Sequence, residues 1–212
     1  MEALIIRHAA TAGNERGAYV GSTDEPISAR GKDQARAAAG RLDQAIKVDL
    51  PLVYVSPLLR ARQTAGLLLP NARQILVDDL REMDFGAFEG RTSKELCDPQ
   101  MGDPRYQAWV DGLCLGPCPG GESRAQLVAR TVAGIRRVLA DAEGRGLSQA
   151  VVVAHGGTVM GALDALARGG DQAGQPEGPF ALFRWRVGPC EGYLARVAWV
   201  DGDPLLLGPT RV

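Results

Sequence analysis

Short apolar runs alternate with longer helical patterns along this chain, and no other feature narrows the possible folds as far. Ala3-Leu4-Ile5-Ile6, Leu52-Val53-Tyr54-Val55, Gln74-Ile75-Leu76-Val77 and Gln149 to Ala154 read as strands. Their near-continuous apolarity is that of strands buried on both faces. Between them lie helical patterns. Ser28 is placed to cap a helix from Ala29 to about Ile46, and Ser56-Pro57 reads as the cap and first-turn proline of a helix to about Leu69. Ser123 opens an amphipathic helix to about Glu143 on the stripe Leu127, Val128, Val132, Ile135 and Leu139; Gly156 to about Ala167 is the last. Such alternation predicts βαβ units: an α/β chain, a three-layer αβα sandwich with a mostly parallel central sheet. The tail, Phe180 to Val187 and Tyr193 to Val200, alternates enough to form two strands around Gly188-Pro189. An antiparallel edge strand is the simplest place for it.

The length of 212 residues suits a single domain, residues 1–212, able to bury a full core. Residues 91–121 are the least regular, with short helical signals at Ser93 to Cys97 and Pro104 to Gly112 before Gly116-Pro117-Cys118-Pro119-Gly120-Gly121. They are expected to form a lid-like insertion over a crevice, with Trp109, Leu113 and Leu115 packed inside it. A net charge of −1 argues against nucleic acid or a membrane surface as the main partner. No apolar stretch nears a membrane span, and Met1-Glu2 does not open a signal peptide. The expectation is a cytoplasmic protein with reduced cysteines. Cys114 and Cys118 are the one close cysteine pair, and both histidines lie elsewhere, so no zinc site is expected.

The chain has two histidines, His8 and His155. Each directly follows an apolar strand and precedes a turn containing Ala or Gly. Carboxyl ends of strands are where open α/β sheets keep their ligand crevice. By this reading four segments meet there, bringing Arg7 and His8, Arg60, Glu82, and His155. Two guanidiniums suit a doubly charged oxyanion, to which each can donate paired hydrogen bonds. The same cations repel a proton from His8, leaving a neutral imidazole that can act as a nucleophile. His155 and the N–H of Gly156, at a helix start, can donate to developing charge. A carboxyl group could protonate a leaving oxygen and then take a proton from water. Glu82, Asp84 and Glu89 share one loop, and the residues alone do not choose among them. The set describes phosphoryl transfer through a phosphohistidine, a chemistry made mostly of positioning and charge neutralisation.

Four motifs, in order, resemble those of the histidine phosphatase superfamily, which includes cofactor-dependent phosphoglycerate mutases. Arg7-His8-Ala9-Ala10-Thr11-Ala12-Gly13-Asn14 is similar to its opening Arg-His-Gly-x-Thr-x-x-Asn. Ser56-Pro57-Leu58-Leu59-Arg60-Ala61-Arg62-Gln63-Thr64-Ala65 resembles the second motif, the segment Leu80 to Gly90 the one with the proton donor, and His155-Gly156-Gly157 the last. The resemblance implies that His8 is the phosphorylated residue, that Arg7, Asn14, Arg60 and His155 bind the phosphoryl group, and that Glu82 is the acid–base residue. It implies no metal and no cofactor. Ala9 departs from the motif glycine, and an alanine fits there only with negative φ. Gly21 to Pro26, Asp84-Phe85-Gly86 and Gly120-Gly121-Glu122-Ser123 are similar to segments of alpha-ribazole phosphatases and related broad-specificity phosphatases. The expected function is a metal-independent phosphomonoester hydrolase acting on a small phosphorylated metabolite. The alternatives are a phosphoglycerate mutase and, from another class, a phosphate-binding or regulatory protein without turnover. The oligomeric state stays open, a dimer included.

Overall fold

A computed structural model describes residues 1–47, 50–170, 178 and 181–212. Strands β1 (Glu2–Arg7), β2 (Leu52–Val55), β3 (Arg73–Leu76), β4 (Gln149–Ala154), β5 (Ala167–Arg168), β6 (Gly192–Val200) and β7 (Asp203–Arg211) form one sheet in the order β3-β2-β4-β1-β6-β7-β5. The pairs β1–β4, β2–β3 and β2–β4 are parallel, whereas β6 runs antiparallel to β1 and β7. The expected α/β class, with an antiparallel addition beside a mostly parallel sheet, is what the chain forms.

Helices cover both faces because the strand side chains alternate. Leu4, Ile6, Val53, Val55, Val151 and Val153 pack against α2 (Ala29–Leu42) and α3 (Leu59–Leu68) through residues such as Ala35, Ala38, Ala61 and Ala65. Ala3, Ile5, Tyr54, Val152 and Ala154 face α6 (Arg124–Gly144) and α7 (Gly156–Leu166) through Ile135, Leu139, Val159 and Ala162. A third cluster joins Met83, Phe88, Leu96, Tyr106 and Cys118 to Leu127 of α6. It ties the segment with α4 (Ser93–Leu96) and α5 (Pro104–Asp111) to the body. Trp109 packs there, but Leu113 and Leu115 are exposed, so the expected burial of these two does not hold.

Local signals set several boundaries. Ser28 Oγ accepts from Gly31 N–H at 2.9 Å, and Ser123 closes a capping box with Gln126. Ser56 is not a cap: α3 starts at Leu59 behind Leu58, without a side-chain cap. A short helix, α1 (Ala12–Arg16), occupies what reads as turn and loop in the sequence; Thr11 and Asn14 form its capping box. The tail differs from expectation. Ala181–Trp185 is a 3-10 turn rather than part of a strand, and Phe180 lies outside the described residues. The partner of β6 is β7, joined to it by Asp201-Gly202, both at positive φ. Asp-Gly is a strong two-residue hairpin signal, so β7 was discoverable from the sequence. Among the described residues no helix is long and apolar enough to cross a membrane.

β6 can sit against β1 only because its first residue lacks a side chain. A Cβ on Gly192 would lie 2.2 Å from the Ile5 carbonyl oxygen. Gly192→Ala should therefore destabilise the fold by about 1–3 kcal/mol, read as a lowered urea midpoint at unchanged m-value.

Candidate active site

The parallel register of β1 and β4 pairs Arg7 with Ala154, so the next residues, His8 and His155, emerge side by side. His8 N–H donates to the Ala154 carbonyl at 2.9 Å, and the two imidazole rings stand edge to face with centroids 5.0 Å apart. β2 ends at the same level, where Ser56 N–H donates to the Val153 carbonyl at 3.0 Å. Both histidines are almost wholly buried.

His8 Nδ1 lies 2.6 Å from the Ala9 carbonyl oxygen. A carbonyl only accepts, so Nδ1 carries the proton and Nε2 keeps its lone pair. Ala9 has no positive φ and is packed in the core, so its backbone is one that alanine adopts without strain. Its N–H donates to Thr64 Oγ1 at 3.0 Å, and Thr64 donates to the Arg60 carbonyl at 2.7 Å. Burial, then the cations of Arg60 and Arg7, push the His8 pKa well below its ordinary 6.5. Burial does the same to His155, followed by His8, Arg60 and Arg7. His155 Nε2 is 2.7 Å from Ser56 Oγ. This contact is the function Ser56 has in place of capping.

The guanidiniums of Arg7 and Arg60 are held by carbonyl oxygens. Arg7 donates from Nη1 to Val187 at 2.8 Å; Arg60 donates to Thr23 at 2.7 Å and Gly21 at 2.6 Å. Burial lowers the pKa of both, and Glu82 is the strongest opposing charge for each. Arg7 Nε, Arg60 Nε and His155 Nδ1 are buried without a hydrogen-bond partner. An unsatisfied buried polar group costs about 1–3 kcal/mol. These three are among eight such side-chain atoms of the described residues, and two of the three belong to cations, whose donors suit an anion.

Glu82 accepts from Gly157 N–H at 2.9 Å and from Met83 N–H at 2.9 Å. A Cβ on Gly157 would lie 2.3 Å from Glu82 Oε1, so glycine is required for this approach. Arg7, Glu82, Gly156 and Gly157 line one end of a cavity of about 460 Å³. Tyr19, Phe85, Trp109, Met160, Leu182 and Phe183 form much of the rest, with Arg124 and Arg186. Asp84 and Glu89 do not line it; Asp84 accepts from Gly86 N–H, and Glu89 from residues 21–23. Of the three acids that composition left open, Glu82 lines this cavity and the other two do not.

Arg7, His8, Arg60, Glu82, His155 and Gly156 are therefore brought together. Asn14 sits in α1, where its Oδ1 accepts from Thr11 N–H at 3.3 Å; like His8, Arg60 and His155, it does not line the 460 Å³ cavity. Sequence reasoning missed Ser56 as a partner of His155 and Thr64 as the link between Ala9 N–H and the Arg60 carbonyl, although both lie in the second motif. Among the described residues no group of three or more His, Cys, Asp or Glu is placed to hold a metal ion, and Cys114 and Cys118 are free thiols.

Fold and site define an α/β protein that gathers two imidazoles and two guanidiniums at the carboxyl ends of its parallel strands. The chain belongs to the histidine phosphatase superfamily, branch 1, whose family pattern matches residues 3–178. It is 30% identical over 175 residues to sedoheptulose 1,7-bisphosphatase of Saccharomyces cerevisiae; the match covers 72% of this chain and 62% of the yeast protein's length. The crystal structure of the alpha-ribazole phosphatase from Shigella flexneri superposes with a TM-score of 0.72 at 26% identity, covering 97% of this chain and 94% of that one. Phosphoglycerate mutase from Thermus thermophilus superposes with a TM-score of 0.63 at 32% identity, covering 99% and 98%.

Burial of neutral imidazoles links stability to pH. Well above pH 6.5 neither histidine is charged, folded or unfolded, and the pair costs the fold nothing through protonation. Below 6.5 the unfolded chain gains protons that the native state refuses, because both native pKa values are depressed. Stability should fall with pH at up to about 1.4 kcal/mol per pH unit for each histidine. Denaturant midpoints measured from about pH 7 to about pH 5.5 should show a shallower slope in a His8→Asn/His155→Asn variant. Equal slopes would contradict the assignment.

Proposed function

We propose that this protein is a metal-independent phosphomonoester hydrolase that works through a phosphohistidine on His8. The observation that carries this reading is the set of unpartnered buried nitrogens, Arg7 Nε, Arg60 Nε and His155 Nδ1, beside an imidazole whose Nε2 keeps its lone pair. A phosphoryl group bound by those nitrogens sits beside the nucleophile. His8 Nε2 forms a bond to phosphorus as the ester P–O bond breaks, and the carboxyl group of Glu82 gives its proton to the leaving oxygen. Glu82 then takes a proton from water, the oxygen attacks phosphorus, the N–P bond breaks, and phosphate leaves. Arg7, Arg60 and Asn14 bind the phosphoryl oxygens, and His155 with Gly156 N–H stabilises charge that develops there. Residues 91–121 act as a lid on one domain spanning residues 1–212.

The cavity supports a finer reading. Its aromatic and aliphatic wall suits an alcohol bearing a flat apolar group better than a small polar acid. This favours a substrate like that of the alpha-ribazole phosphatase from Shigella flexneri, which resembles this chain over nearly its whole length. The second reading is transfer within a phosphoglycerate, which the likeness to the Thermus thermophilus mutase supports.

His8→Ala should lower hydrolysis of an aryl phosphate by roughly a thousandfold or more; wild-type turnover in that variant would end the proposal. A comparison of alpha-ribazole phosphate with 3-phosphoglycerate separates the two readings. The first should be hydrolysed with the higher kcat/KM, and the second should release free phosphate rather than convert to its 2-isomer. Faster isomerisation than release would favour the mutase.

A further inference from the structure

Arg60 is the bulkiest fully buried side chain among the described residues. No carboxylate there makes an ion pair with it; its partners are the carbonyl oxygens of Gly21, Thr23 and, at 3.4 Å, Val20. A buried cation without a counter-charge is costly. Its opposing charges act at a distance, Glu82 most strongly, then Asp24, Glu25 and Glu89, and of these Glu89 lies on the far side of the same peptides. Glu89 accepts from the N–H groups of Gly21 at 3.1 Å, Ser22 at 2.8 Å and Thr23 at 3.3 Å, from Thr23 Oγ1 at 2.7 Å, and from Phe85 N–H at 3.0 Å.

Two peptide units therefore bridge the charges. In the unit joining Gly21 to Ser22, the C=O points to Arg60 and the N–H to Glu89. The unit joining Val20 to Gly21 is oriented the same way. Each peptide carries a dipole of about 3.5 D, here with its positive end on the carboxylate and its negative end on the guanidinium. Asp24 holds the loop's other end by accepting from Leu59 N–H, at the start of α3, at 2.6 Å. Burial raises the Glu89 pKa, but the hydrogen bonds from Thr23, Phe85, Gly21 and Ser22 outweigh it and keep the carboxyl below its ordinary value. A carboxylate in direct contact with Arg60 would compete for the donors an oxyanion needs. Acting through peptides, it leaves Arg60 Nε–H without a partner.

We propose that Glu89 is a positioning residue for phosphate binding: through the 20–21 and 21–22 peptide units it orients Arg60 while leaving that guanidinium's Nε–H free for the anion. The inference rests on the phosphate site proposed above. Inorganic phosphate is the probe, titrated by calorimetry into the full-length wild type, Glu89→Gln and Thr23→Val, with thermal melts of each. Wild type should bind phosphate. Glu89→Gln should bind roughly tenfold more weakly, as for loss of a charge-assisted contact. Thr23→Val, which removes one hydrogen bond to the carboxylate, should fall between. The Arg60 Nε–H resonance should shift in Glu89→Gln before any phosphate is added. A purely structural role would lower Tm and leave both the phosphate affinity of the folded protein and that resonance unchanged, which overturns the proposal. If Glu89→Gln does not fold, wild-type affinity in Thr23→Val overturns it equally. Failure of wild type itself to bind phosphate would remove the phosphate site and not only the relay.

Discussion

Parallel pairing of β1 with β4 fixes both the packing and the site of this molecule. Its register, Arg7 opposite Ala154, places two imidazoles from distant parts of the chain within ring contact. A one-residue slip would turn every β1 side chain to the other face. Leu4 and Ile6 would then leave the α2–α3 face and His8 would leave His155, so core and site are specified by the same hydrogen bonds. β2 adds Ser56 at that level through its own parallel pairing with β4.

Around this frame, polar groups are held by backbone more than by opposite charges. Carbonyls anchor both arginines, an amide anchors Glu82, and a carbonyl selects the proton position on His8. Backbone partners are rigid, and they leave the charged groups free to answer a ligand's charge. The cost is a set of buried, unsatisfied nitrogens, tolerable where an anion completes them. The loop from Val20 to Asp24 links this frame to Arg60, so it contributes to the site without lining the larger cavity.

Much of this was legible in the chain. Continuous apolar runs marked β1, β2 and β4, because strands buried on both faces carry few polar side chains. Ser28 and Ser123 marked helix starts through their local caps. Arg7, His8, Arg60 and His155 were legible because strand ends and a helix start fix where they emerge. Other features were not. Ser56 looked like a cap because a Ser-Pro pair often is one, and its bond to His155 spans 99 residues. The 3-10 turn at Ala181–Trp185 alternates like a strand, and tertiary packing of Leu182 and Trp185 overrode that pattern.

Local pattern was enough for the α/β class, for the strand ends that carry the histidines and for the family to which the chain belongs, since apolar runs and short motifs stay intact when read in one dimension. Three-dimensional packing was needed to show which of three nearby acids lines the cavity with Arg7, where the last long strand pairs, and how Glu89 and Arg60 share the same peptides. Those outcomes depend on distances between segments far apart in the chain, which no local pattern records.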